Sequence, residues 1–209
     1  LASGKLDNKV YIPLQFWFNQ NLASSLPICA LQHQDVTIQV RFNQITTPAI
    51  TDMVLYCDYI YLSKLELNAI ARTSAQYLIQ QVQTIKESIP VLSGSPVKHT
   101  IQLNLNLACK EMVWVSLDSN RNRLTNITTG SLLFNGIERF GERNGAFFSH
   151  LQPNQYHSGY GVNNTDENKQ NIYVYSFCAH PEKFEPSGVC NFSQLNTKVL
   201  KLTFNSLPK

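Results

Sequence analysis

Three sets of residues in this 209-residue chain carry groups able to do chemistry. His33 and Asp35 stand two apart in "HQD", a spacing that puts an imidazole and a carboxylate on one face of a strand, where the acid could orient a general base. A polar pair opening a strand has the same spacing, and that plainer reading weighs more. His150, His157 and His180 form the second set. Their separations, 7 and 23, match no local zinc pattern, and no H-x-H pair of a β-sheet metal site occurs. The third set is the five cysteines, Cys29, Cys57, Cys109, Cys178 and Cys190. Without a CxxC there is neither a zinc ribbon nor a dithiol redox motif. Four of them sit inside apolar runs as small core residues do. Cys190 follows a turn, but no Arg or His close to it in sequence supplies the electropositive setting of a nucleophilic thiol. Free thiols in a reducing compartment are expected.

Two glycine-bearing stretches invite the same question. "NGIERFGERNG" (135–145) has neither GxGxxG nor P-loop spacing, so it does not cradle phosphate; its Asn-Gly pairs at 135–136 and 144–145 are turn signals. "PSGVCNFS" (186–193) combines turn residues Pro186 and Gly188 with a thiol and a glycosylation sequon. Sequons fall at Asn126, Asn163 and Asn191, the first two in long polar loops. No catalytic constellation, metal set or cofactor motif emerges, and none is expected.

The elements that would position these residues are strands. "VYIPLQFWF" (10–18), "DVTIQVRF" (35–42), "MVLYCDYIYL" (53–62) and "YLIQQVQTI" (77–85) alternate apolar with polar residues or run apolar, as do "HTIQLNLNL" (99–107), "MVWVSL" (112–117), "NIYVYSFCA" (171–179) and "KVLKLTF" (198–204). In "MVWVSL", Met112, Trp114 and Ser116 share one face and Val113 and Val115 the other, so both faces ask for cover. The pattern predicts an all-β sandwich or barrel. "NLASSLPICAL" (21–31) reads as a short helical piece broken by Pro27. "SKLELNAIARTS" (63–74) reads as a helix with Ser63 as N-cap and Glu66 at the capping-box spacing. That helix divides two strand-rich blocks. Loops are expected over 118–131 and 153–170.

Composition narrows the function classes. Hydrophobic residues make up 43% and aromatics 11%, enough for a core, while charged residues are only 15%. Twenty Asn and fifteen Gln outnumber the 17 Lys+Arg and 14 Asp+Glu. Amides satisfy close neighbours without the desolvation cost of ions, which suits a polar surface that other protein will cover. A net charge of +3, with no basic run beyond two residues, gives no footprint for nucleic acid. No apolar run reaches transmembrane length, and residues 1–20 lack a signal-peptide layout. The first block has three clear strands, too few to close a sandwich. With "LASG" as its first residues, the chain is expected to continue a longer one.

Six separated phrases carry a resemblance: "YIPLQFWFNQNLASSLPICALQHQDVTIQVRF" (11–42), "DYIYL" (58–62), "YLIQQVQ" (77–83), "KEMVWV" (110–115), "LFNGIERFGERNGAFF" (133–148) and "IYVYSFCAHPEKFEPSGVCNFSQLN" (172–196). Together and in this order they resemble the major capsid proteins of large eukaryotic DNA viruses, the group that includes iridoviruses and algal viruses. The resemblance implies a double jelly roll, two β-sandwiches in tandem. Residues 1–62 would be the tail of the first, 63–74 a linker helix and 75–209 the second. It also implies a homotrimer of pseudo-hexagonal outline, tiling an icosahedral shell with neighbouring capsomers, minor capsid proteins and inner-membrane-associated proteins, in a virion assembled in the host cytoplasm. The expected structural positions are Trp17, Trp114, Gly136, Arg139, Phe140, Pro186, Gly188, Asn191 and Phe192. The chain departs from the family in a less charged linker, "SKLELNAIAR", and in Ser158, where a histidine is usual. A glycan-binding jelly roll, stacking sugar on Tyr156, His157 and Tyr160, is the alternative from another functional class.

Overall fold

A two-residue turn at Asn135-Gly136 sets the register of the sheet around it. Both residues have positive φ, 51° and 80°, as a right-twisted hairpin of this length requires. In the computed structural model, which describes residues 4–6, 9–31, 33–41, 51–74, 76–89, 96–158 and 171–205, this turn joins β8 (Ile127–Phe134) to β9 (Ile137–Asn144). The chain divides into two compact units, Leu1–Gln81 and Val82–Lys209.

In the second unit, β12 (Lys198–Phe204) pairs antiparallel with β8 on one side and with β3 (Val97–Gln102) on the other. The sheet order is β3-β12-β8-β9. Period-2 alternation decides which side is buried. Leu200, Leu202 and Phe204 of β12 turn inward while Lys201 stays exposed, and Leu200 is in register with Ile101 and Leu132. A second ladder joins β5 (Glu111–Trp114) to β10 (Tyr173–Ser176), with Trp114 opposite Tyr173 and Met112 opposite Tyr175. Two short ladders complete the unit: β4 (Ala108–Cys109) with β11 (Cys190–Asn191), and β6 (Ser116–Leu117) with β7 (Arg123–Leu124). The buried cluster draws Leu132, Leu200, Leu202 and Phe204 from the sheet, Met112 and Tyr173 from the second ladder, and Phe148 and Phe192 from the connections.

The stretch expected as a loop over 118–131 is corrected in its second half, because 127–131 belong to β8. Its Thr, Gly and Ser content reads as loop, yet Gly130 is there for packing. A Cβ at that position would stand 3.1 Å from the Phe148 ring. Phe148 is the second residue of a π-helical turn, Phe147–Leu151, that runs into α2 (Gln152–Tyr156). The second Asn-Gly pair makes no hairpin. Asn144 ends β9, and its side-chain oxygen accepts from the Ala146 amide.

In the first unit, β1 (Gly4–Leu6) pairs with β2 (Lys9–Tyr11). The helical piece expected over 21–31 forms as two 3₁₀ turns, Leu22–Ser24 and Ile28–Ala30, on either side of Pro27. The helix expected over 63–74 forms as α1 (Lys64–Arg72). Its capping box is complete: the Ser63 hydroxyl oxygen accepts from the Glu66 amide, and the Glu66 carboxylate accepts from the Ser63 amide at 2.8 Å. Of the strands expected at 10–18, 35–42, 53–62 and 77–85, residues 10–11 join β2 and the rest form no ladder among the described residues. Alternation selects a face, but a strand exists only when a neighbouring backbone takes its hydrogen bonds. Val36, Val40, Met53, Leu55 and Tyr61 are accordingly exposed.

Candidate functional site

An aromatic seam crosses the core of the second unit. Trp114 of β5 meets Phe148 at 5.2 Å between ring centroids and stacks on Tyr173 at 6.2 Å. Phe148 meets Phe140 of β9 at 5.4 Å, and Phe140 meets Tyr175 of β10 at 4.6 Å. Tyr175 passes to Phe177 at 5.1 Å, and Phe177 to Phe192 at 5.6 Å. The tilted and edge-on geometries among these pairs are those that ring quadrupoles favour. Trp114, Phe140 and Phe192, singled out separately in the sequence, are thus members of one continuous contact. Phe148, Tyr173, Tyr175 and Phe177 complete it and were not singled out; the aromatic density of "AFF" and "YVYSF" was the available signal.

The opposite face of the segment 111–117, which carries β5 and β6, is bare. Val113, Val115 and Leu117 are 55%, 43% and 50% exposed, whereas Met112 is buried. The cover that both faces ask for is present on one side only.

The corner at 186–193 is built by the backbone. Gly188 has φ +130°, and a Cβ there would stand 3.2 Å from the Phe177 carbonyl oxygen. Pro186 is exposed just before it. The Ser187 hydroxyl oxygen accepts from the His180 amide at 2.8 Å and its carbonyl from the Ala179 amide at 3.2 Å, closing the neck of the loop. Phe192, fully buried, fixes the corner to the core. The thiol in this corner, Cys190, lies directly across the ladder from Cys109. Burial pushes the Cys109 thiol up to about 12 and raises Cys190 as well.

The other positions fall in several places. Gly136 sits in the hairpin turn, and Arg139 lies exposed on β9, near enough to Tyr175 and Cys190 for its charge to act on both. Trp17 belongs to the first unit, edge-on to Phe18 at 5.6 Å and tilted against Tyr77 at 5.7 Å. These rings line a groove of about 570 Å³ with Leu26, Ile70 and Asp35. His33 and Asp35 are exposed and form no ion pair among the described residues. Of the sequons, Asn126 is buried at 7% exposure, Asn191 is exposed, and Asn163 lies outside the described residues.

His157 approaches two carboxylates, Glu111 at 3.0 Å and Glu182 at 3.5 Å. The Ser158 hydroxyl and amide both donate to Glu182, and these bonds, the hydroxyl's foremost, hold its carboxyl below the ordinary range. His150 is engaged by the Ser149 hydroxyl at 2.7 Å. Among the described residues no group of three or more His, Cys, Asp and Glu side chains is arranged to hold a metal ion. Tyr160 lies outside the described residues.

Comparison with known proteins agrees with this architecture. The family described as large eukaryotic DNA virus major capsid protein matches residues 66–207, and the major capsid protein N-terminus matches residues 3–88. The major capsid protein of Pyramimonas orientalis virus is 34% identical over 92% of this chain and 53% of its own length. That of Paramecium bursaria Chlorella virus 1 is 27% identical over 95% of the chain and 55% of its own length. The chain therefore spans about half the length of these relatives. Among solved structures, PBCV-1 VP54, fitted into a cryo-EM reconstruction of the virophage Sputnik, superposes with a TM-score of 0.74 at 24% identity. That match covers 98% of this chain and 62% of VP54, and shows a common jelly-roll β-sandwich fold. A family match running from α1 through the last strand settles the kinship: the chain belongs to the major capsid proteins of large eukaryotic DNA viruses.

Proposed function

We infer that the chain is shell material, acting by self-assembly in the virion rather than by catalysis. In this reading it forms a homotrimer of pseudo-hexagonal outline, and trimers tile an icosahedral shell. Residues 1–62 are the tail of a first jelly roll, 63–74 the linker and 75–209 the second jelly roll. The observation that carries the reading is the bare row of Val113 on β5, Val115 just after it and Leu117 on β6, beside a Trp114 that anchors the inner face of β5. An exposed apolar row of this kind is what a neighbouring subunit covers. The exposed apolar residues of the first unit and the amide-rich composition support the same conclusion. Neighbouring capsomers, minor capsid proteins and inner-membrane-associated proteins are the partners, with no direct contact to nucleic acid. Each contact between trimers can be weak, because a shell repeats it many times.

The glycan-binding alternative is weakened by His157, which is committed to Glu111 and Glu182. Sedimentation equilibrium separates the two readings. A mass three times that of the chain, unmoved by sugars, is expected. A monomer at every concentration whose sedimentation responds to added oligosaccharide would overturn the proposal.

A further inference from the structure

We propose that Cys109 and Cys190 form a latent disulfide, a covalent staple that a small-molecule disulfide closes in the folded protein. The two residues are direct partners in the β4–β11 ladder. Two residues along the same pairing, the Phe192 amide donates to the Leu107 carbonyl at 2.8 Å. In an antiparallel ladder pair types alternate, so the cysteines belong to the same hydrogen-bonded class, with Cα atoms about 5.5 Å apart. That separation is the commonest one for natural disulfides. Both thiols are free and half-buried, and the assembly reading uses neither.

The order of attack follows from their surroundings. Cys109 is the more enclosed; its thiol donates to the Glu111 carbonyl at 3.3 Å. Cys190 is less enclosed, and the Arg139 guanidinium favours its thiolate. Cys190 therefore meets the oxidant first. Its thiolate attacks one sulfur of the small disulfide, forms a mixed disulfide and releases one thiol. The Cys109 thiolate then attacks the Cys190 sulfur of that mixed disulfide and releases the second thiol. Two electrons pass from the protein thiols to the oxidant, and the two protons end on the released thiols. Burial raises both pKa values and keeps the thiolates scarce near neutral pH, so closure in the folded protein is slow.

The consequence is mechanical. The staple ties the corner that seats Phe192 to the strand leading to Trp114, across about eighty residues of chain, a loop long enough for a cross-link to constrain the unfolded state strongly.

The experiment uses the folded chain and oxidised glutathione at pH 8.5. Thiols are then alkylated under denaturing conditions and counted by intact mass, and a non-reducing peptide map follows. Five alkylated thiols before treatment and three after, with one peptide pair joining Cys109 to Cys190, are expected. The unfolding midpoint should rise by about 10 °C. Cys109→Ser should stop at a stable glutathione adduct on Cys190; should that variant not fold, the map of the parent decides alone. Five thiols after prolonged treatment, a glutathione adduct on Cys190 with Cys109 still alkylatable, or a cross-link joining another pair would each overturn the proposal.

Discussion

Gly130 of β8 and Phe148 of the π-helical turn touch so closely that a single methyl group at the glycine would stand 3.1 Å from the ring. The ring occupies the space a side chain would have taken and is completely buried there. From that seat Phe148 contacts both Trp114 and Phe140, so one absent side chain lets one ring join two ladders.

Gly130→Val should cost about 1–3 kcal/mol by overpacking. The Leu202 side chain, 3.3 Å from the same point, leaves little room to yield. Urea unfolding of the variant beside the parent checks this, and an unchanged midpoint would show that Phe148 relocates freely.

Trp114→Ala should cost about 3–5 kcal/mol, since it removes a ring in contact with both Phe148 and Tyr173. Trp114→Phe should cost under about 1.5 kcal/mol, because it keeps a ring and removes an indole N–H that is buried without an acceptor. Thermal midpoints of the two variants should separate clearly.

Gly188→Val should destabilise by about 1–3 kcal/mol through backbone strain, because a β-branched residue does not reach φ +130° comfortably. Gly188→Ala should fall between the two, its single methyl still pressed against the Phe177 carbonyl oxygen. Circular-dichroism melts in that order would support the corner as a backbone device.

Val115→Lys should leave the stability of the folded chain within about 0.5 kcal/mol of the parent, as expected for an exposed position. Its effect should appear in association: the proposed trimer should be weakened at least about tenfold by a buried unpaired charge. Analytical ultracentrifugation over a concentration series reads this out; a parent-like trimer would place the interface elsewhere.

The Ser158–Glu182 clasp should loosen in acid. Glu182 is held below its ordinary value of 4.5, so its contribution is complete above that pH and is lost as the pH falls through the lowered value. Ser158→Ala should return the Glu182 titration towards 4.5, which a carboxylate-resolved NMR titration measures. An identical curve in the variant would assign the lowering to the Ser158 amide and His157 instead.

How much of this was legible in the sequence depends on the range of the interaction concerned. Local chemistry was readable. The Ser63–Glu66 capping box, the break at Pro27, the Asn135-Gly136 turn and the positive φ at Gly188 all formed as their residue types dictate. Each is decided within four or five residues by backbone sterics and nearby hydrogen bonds. The inward set of β12 followed from alternation for the same reason.

What only the tertiary structure decided is partnership. The pattern of 35–41 marks a strand as that of β12 does, and 53–62 runs apolar, yet these segments form no ladder among the described residues, because a strand needs a second backbone and its own pattern does not supply one. Gly130 reads as a loop residue until Phe148, eighteen positions later, arrives against it. Cys109 and Cys190 read as unrelated thiols until β4 and β11 set them opposite each other. Trp114, Phe140 and Phe192 carry no sign of one another in sequence and meet because two ladders close over the same core. Residue types specify what each surface seeks to bury; the long-range pairing of strands decides which surfaces meet.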